Sequence, residues 1–115
     1  MAEIFKLKLL KEARDFLYSL DKETRKKIGE NIRAVQNGVT NSELFQKMPG
    51  TKDIWEFRTL YDRKKYRLFS FWDTDGETLV VATHGIIKKG QKTPKNDIEK
   101  AESIKKLYLQ NKTTK

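Results

Sequence analysis

Ile54-Trp55-Glu56-Phe57-Arg58-Thr59-Leu60-Tyr61, Tyr66-Arg67-Leu68-Phe69-Ser70-Phe71-Trp72 and Thr78-Leu79-Val80-Val81-Ala82-Thr83-His84-Gly85-Ile86-Ile87 are three strand-like runs in close succession. The first alternates, with Trp55, Phe57, Thr59 and Tyr61 on one face and Ile54, Glu56, Arg58 and Leu60 on the other. The second is aromatic, and the third carries the core run Leu79-Val80-Val81. Asp62–Lys65 is polar enough to turn the chain, and Asp73-Thr74-Asp75-Gly76 is a hairpin signal. Three strands with connections this short predict an antiparallel meander.

The flanking sequence is helical. Ile4–Leu7 reads as a short opening strand, after which Leu9, Ala13, Phe16, Leu17 and Leu20 recur at helical spacing. Asp21 has the chemistry of an N-cap for a second helix that turns Ile28, Ile32 and Val35 inward and stops at Asn37-Gly38. Val39–Asp53 shows no period and includes Pro49-Gly50, which predicts a loop. A last helix follows Pro94, with Asn96 or Thr93 as its cap and Ile98, Ala101, Ile104, Leu107 and Tyr108 as its apolar stripe. The expected order is β-α-α-β-β-β-α, an α+β fold with an antiparallel sheet and the helices packed on one face.

Composition narrows the chemistry. In 115 residues there are no cysteines and one histidine, so a thiol nucleophile, a thiolate metal site and a disulfide framework are excluded, and no resident metal or other cofactor is expected. No apolar run is long enough for a membrane span, and a cytoplasmic location is the expectation. The formal net charge of +9 favours polyanionic partners. That charge is concentrated between Gly85 and Asn96, where Lys88, Lys89, Lys92 and Lys95 occur without an acid.

If helices cover one face of the meander, the other must tolerate polar groups. Arg58, Arg67 and His84 can meet there, with Lys88, Lys89 and Lys92 at the rim. Guanidinium groups can stabilise the extra negative charge of a pentacoordinate phosphorus, and an imidazole can move protons near neutrality. Together they suit metal-free RNA cleavage, in which the substrate's own 2′-hydroxyl attacks. Plainer readings stand beside this one. Arg58 can simply pair with Glu56, a strand histidine can be a hydrogen-bonded structural residue, the lysines can be a solvated loop, and Trp55, Phe57, Phe69 and Phe71 can be core. On this reading Arg67→Ala costs activity and little stability, whereas Trp55→Ala or Phe57→Ala costs core packing.

The strings Ile54-Trp55-Glu56-Phe57-Arg58, Tyr66-Arg67-Leu68-Phe69 and His84-Gly85-Ile86-Ile87-Lys88-Lys89-Gly90-Gln91-Lys92-Thr93-Pro94 resemble the HigB-like, phage-derived branch of the RelE/ParE toxin superfamily. The last string is the most specific. Phe57 stands where leucine is usual, and Gly90 where threonine is common. The resemblance implies one compact RelE-like domain over residues 1–110, with 111–115 a flexible tail. It implies a type II toxin that cuts mRNA without metal, on translating ribosomes, and an antitoxin partner of acidic or helix-turn-helix type. Carried over by position, Arg67 is the transition-state arginine, and Arg58, His84 and Lys88 complete the catalytic set, with His84 or Lys88 moving the proton. Lys89, Lys92 and Lys95 hold RNA phosphates, and Glu56 orients Arg58. Two other classes stay open: a ParE-like inhibitor of DNA gyrase, and a non-catalytic nucleic-acid-binding phage accessory protein.

Overall fold

Five strands line up in the order β1-β5-β4-β3-β2 in the computed structural model, which describes residues 3–76 and 78–113. They are β1 (Lys6–Leu9), β2 (Phe45–Lys47), β3 (Trp55–Tyr61), β4 (Lys64–Asp73) and β5 (Leu79–Lys88), and the helices are α1 (Lys11–Ser19), α2 (Lys22–Gln36) and α3 (Lys95–Thr113). The expected α+β class and the β3-β4-β5 meander are present. Three details differ from expectation. β1 starts two residues later than Ile4 and pairs parallel to β5, so the sheet is mixed. β2 lies inside the expected loop; three residues are too short to show a period. The helices do not share one face.

The division of faces follows from β4, whose two alternating sets are both apolar. Tyr66 and Leu68 join Phe57, Val80 and Ala82 in a core closed by Ala13, Leu17, Ile28, Ile32 and Val35 of α1 and α2. Phe69 and Phe71 join Ile54, Met48 and Val81 on the opposite face, closed by Ala101 of α3. A strand apolar on both sides needs cover on both sides.

The caps agree in part with the sequence. Asp21 accepts from the Thr24 N–H at 2.7 Å, and Gly38 follows α2 with a φ of 99°. At α3, Asn96 is already inside the helix, and the Thr93 hydroxyl is turned elsewhere. The expected tail is helix as far as Thr113, with Thr114 and Lys115 outside the described residues. Asp73, 6% exposed, anchors that end: its carboxylate accepts from Lys112 Nζ at 2.8 and 2.9 Å and from the Tyr108 hydroxyl at 3.1 Å. Burial works to raise the Asp73 carboxyl, but these bonds and the Asp75 N–H hold it below the usual carboxylate range.

One irregularity decides what faces what. Phe69 pairs with His84, but Ser70 pairs with Ala82, so Thr83 is an extra residue in β5. A one-residue bulge reverses the sidedness of everything beyond it. Without it, His84, Ile86 and Lys88 would continue on the α1 side with Val80 and Ala82. With it, they share a face with Phe69 and Arg67.

Candidate nucleic-acid interface

Glu56 and Arg58 of β3, Lys65 and Arg67 of β4, and Lys88 of β5 are brought together by register: Arg58 pairs across with Arg67, and Lys65 with Lys88. Arg67 is 4% exposed and Glu56 is 3% exposed. Glu56 Oε1 lies 3.4 Å from Nε of both Arg58 and Arg67, while Oε2 accepts from the Thr93 hydroxyl at 3.3 Å. The two Nε–H groups are buried and make no hydrogen bond among the described residues, so their contact with Glu56 is electrostatic. Arg58 is braced from the other side: Nη1 donates to the Ser42 carbonyl at 3.1 Å and to Gln46 Oε1 at 2.9 Å. Arg67 Nη1 donates to the Tyr66 carbonyl at 3.0 Å.

These residues border an open cavity of about 490 Å³, lined from β3, β4 and β5 by Arg58, Leu60, Lys65, Arg67 and Lys88, and from elsewhere by Lys27, Asn31, Glu43 and Gln91. Its position follows from the shortness of β2. β2 covers β3 only at residues 55–57, so the edge beyond Arg58 is free of a neighbouring strand, and the cavity opens there. Five cations line it against one acid, Glu43. The crowding shows in the proton affinities. Burial draws the Arg67 guanidinium below its ordinary value, against the pull of Glu56 and with the push of Arg58. Burial also lowers the Lys88 ammonium, and Arg67, Arg58 and Lys65 add to the effect. An anion entering this cavity meets charges that are already desolvated, where each interaction is stronger than in water.

The sequence-derived set divides. Arg58, Arg67 and Lys88 line the cavity, with Glu56 behind them. Lys89 and Lys92 are exposed in the β5–α3 loop and Lys95 opens α3, none of them on the cavity wall. His84 is apart from the cavity. It is 3% exposed, stacks on Phe69 with ring centroids 4.8 Å apart, and has both ring nitrogens occupied: Nδ1 lies 3.1 Å from Thr83 Oγ1 and Nε2 lies 3.3 Å from Asp97 Oδ1. Burial pushes its imidazole below the usual histidine value, partly offset by the Asp97 hydrogen bond. The plainer reading of His84, a hydrogen-bonded residue under a helix, fits this geometry. Arg67 also has a structural share, because its removal would leave a buried carboxylate with one cationic partner. Sequence reasoning missed Lys65 and Lys27. Lys65 shares a face with Arg67 by simple alternation and could have been found, whereas Lys27 reaches the cavity only through the packing of α2.

Comparison with known proteins agrees with this fold. The phage-derived Gp49-like family (DUF891) matches residues 15–106. No curated protein matches the sequence significantly. Among solved structures, a free double arginine-to-alanine mutant of E. coli toxin RelE aligns over 90% of this chain and 97% of its own, with a TM-score of 0.61 at 16% identity. The toxin–antitoxin complex RelBE of E. coli aligns over 76% of this chain and 99% of the matched one, with a TM-score of 0.51 at 15% identity. The RelE-like order of elements and the family match over most of the length lead to one assignment: the chain belongs to the phage-derived Gp49-like family, with a fold similar to that of RelE.

Proposed function

We propose that this chain is the toxin of a type II toxin–antitoxin pair and that it cleaves mRNA without a resident metal ion, on translating ribosomes. The observation that carries the reading is the buried Arg67, aimed with Arg58 and Lys88 at an open cavity of about 490 Å³. Likeness to RelE, alone and in the RelBE complex, supports the toxin reading and a cognate antitoxin; we expect that antitoxin to be of acidic or helix-turn-helix type.

In this mechanism the scissile phosphate lies between Arg58 and Arg67. The ribose 2′-hydroxyl releases its proton to solvent as its oxygen attacks phosphorus, the P–O5′ bond breaks, and a 2′,3′-cyclic phosphate and a free 5′-hydroxyl result. Arg67 and Arg58 stabilise the extra negative charge of the pentacoordinate species, and Glu56 fixes both guanidinium groups in place. Lys88 gives a proton to the departing 5′-oxygen. Its lowered proton affinity suits it to that role, and both ring nitrogens of His84, the alternative donor, lie against Thr83 and Asp97. The cations on the wall would repel a divalent metal. Lys89, Lys92 and Lys95 hold neighbouring phosphates from the loop.

Induced expression in bacteria tests this reading. The wild type should arrest growth and generate new mRNA 5′ ends within coding sequence, and Arg67→Ala should abolish both. Normal growth with abundant folded protein, or arrest with intact mRNA and trapped gyrase complexes, would refute it.

A further inference from the structure

The turn between β3 and β4 holds one residue, Arg63, that is unsuited to its shape. Asp62 and Arg63 have φ of 51° and 65°, both left-handed, as a type I′ hairpin requires. Asn-Gly is the usual occupant, and arginine at such a φ is strained. The strain sits beside the cavity, because Leu60 and Lys65, the second register pair from the tip, both line it.

The cations around this turn are unbalanced. Lys65 stands directly across from Lys88, a like-charge pair that disfavours the sheet. Arg63 is exposed, and neither Arg63, Lys65 nor Lys27 forms an ion pair among the described residues. Lys27 reaches the same cavity from α2, across the strand edge that β2 leaves open. Strain and repulsion collected at one lip of an anion-seeking cavity are accounted for if a chain of phosphates crosses that lip.

We propose that Arg63, Lys65 and Lys27 form a phosphate track by which single-stranded RNA enters the cavity over the open edge of β3. The proposal rests on the ribonuclease reading and adds the path of the strand. The backbone of a single strand can bend into the cavity between α2 and the hairpin, whereas a stiff duplex would have to ride over it.

The test uses a short single-stranded RNA with 2′-O-methyl groups, which binds without being cut. Its affinity is measured over a salt series for the wild type, Arg63→Gly, Lys27→Ala and Lys65→Ala. Each substitution should weaken binding and reduce the slope of log affinity against log salt by about 0.7, the value for one phosphate on a single strand. Arg63→Gly is the telling variant: it relieves the left-handed strain, so its melting temperature should rise while its RNA affinity falls. A merely structural Arg63 would not separate the two. An unchanged slope for Arg63→Gly, or equal binding of a duplex of the same length, overturns the track. If wild-type mRNA cleavage persists in that case, only the track is lost; if the wild type neither binds nor cleaves RNA, the ribonuclease reading falls with it.

Discussion

Alanine at Gly85 would place its Cβ 2.2 Å from Cδ2, 2.6 Å from Cε2 and 2.7 Å from Cγ of Phe16. Carbon atoms in ordinary contact stand about 3.5–4.0 Å apart, so the ring would have to retreat by more than about 1 Å. It has little freedom to do so. Phe16 rides on α1, which Ala13 at 0% exposure and Leu17 at 8% hold against the sheet. The backbone of Gly85 is not among the positive-φ positions, so the penalty is steric alone. Overpacking of this kind costs about 1–3 kcal/mol, or about 4–12 °C in melting temperature for a chain of this size. Urea unfolding followed by the fluorescence of Trp55 and Trp72 measures it. Trimming the ring should rescue the variant: Gly85→Ala with Phe16→Leu should be more stable than the two single losses predict, by about 1 kcal/mol or more. Additive losses would show that the contact is not the cause.

Arg67→Ala should cost about 3 kcal/mol as well as activity, because it leaves Glu56 buried beside one arginine. Adding Glu56→Gln should restore much of the stability in urea without restoring cleavage. Lys88→Arg keeps the charge but removes the titration, so the alkaline limb of the cleavage rate should move to higher pH. A fixed limb would take the proton from another group. His84 is held below its unfolded value, so the folded state resists its protonation: its contribution is fully present above about pH 6.5 and is lost as pH falls below that. Unfolding midpoints between pH 5 and pH 7 should therefore fall less steeply for His84→Gln than for the wild type. Asp73→Asn should lower stability by about 1–3 kcal/mol and speed amide exchange in the last turns of α3, since it loosens the bonds from Lys112 and Tyr108.

What the sequence disclosed and what it hid follow from the range of the interactions. The alternation at Trp55–Tyr61, the aromatic run of β4 and the Asp21 cap are local signals, and each is present in the fold. Three features are not local. The bulge at Thr83 leaves no mark in composition, yet it puts Lys88 beside Arg67. β2 is too short for a period, yet its end creates the open edge where the cavity lies. α3 crosses to the second face because β4 is apolar at both parities, a pattern visible in Tyr66–Trp72 that argues against one open polar face. That Arg58, Arg67 and Glu56 lie together was legible, because charge inside an aromatic strand is unusual and alternation puts Glu56 and Arg58 on one face. The contacts of His84 with Thr83 and Asp97 were not legible, because titratability says nothing of which neighbours lie against its nitrogens.

The pairing of β1 with β5 bears on when the protein comes into being. Lys6 is made long before its register partner Leu79. At about 5–20 residues per second, β1 waits about 4–15 s for the strand it lies against. Lys88, which closes the cationic cavity, is made later still. A chain interrupted before β5 therefore carries an unfinished sheet and no complete cavity, so the ribosome that makes this protein has passed the whole meander before the cavity is closed.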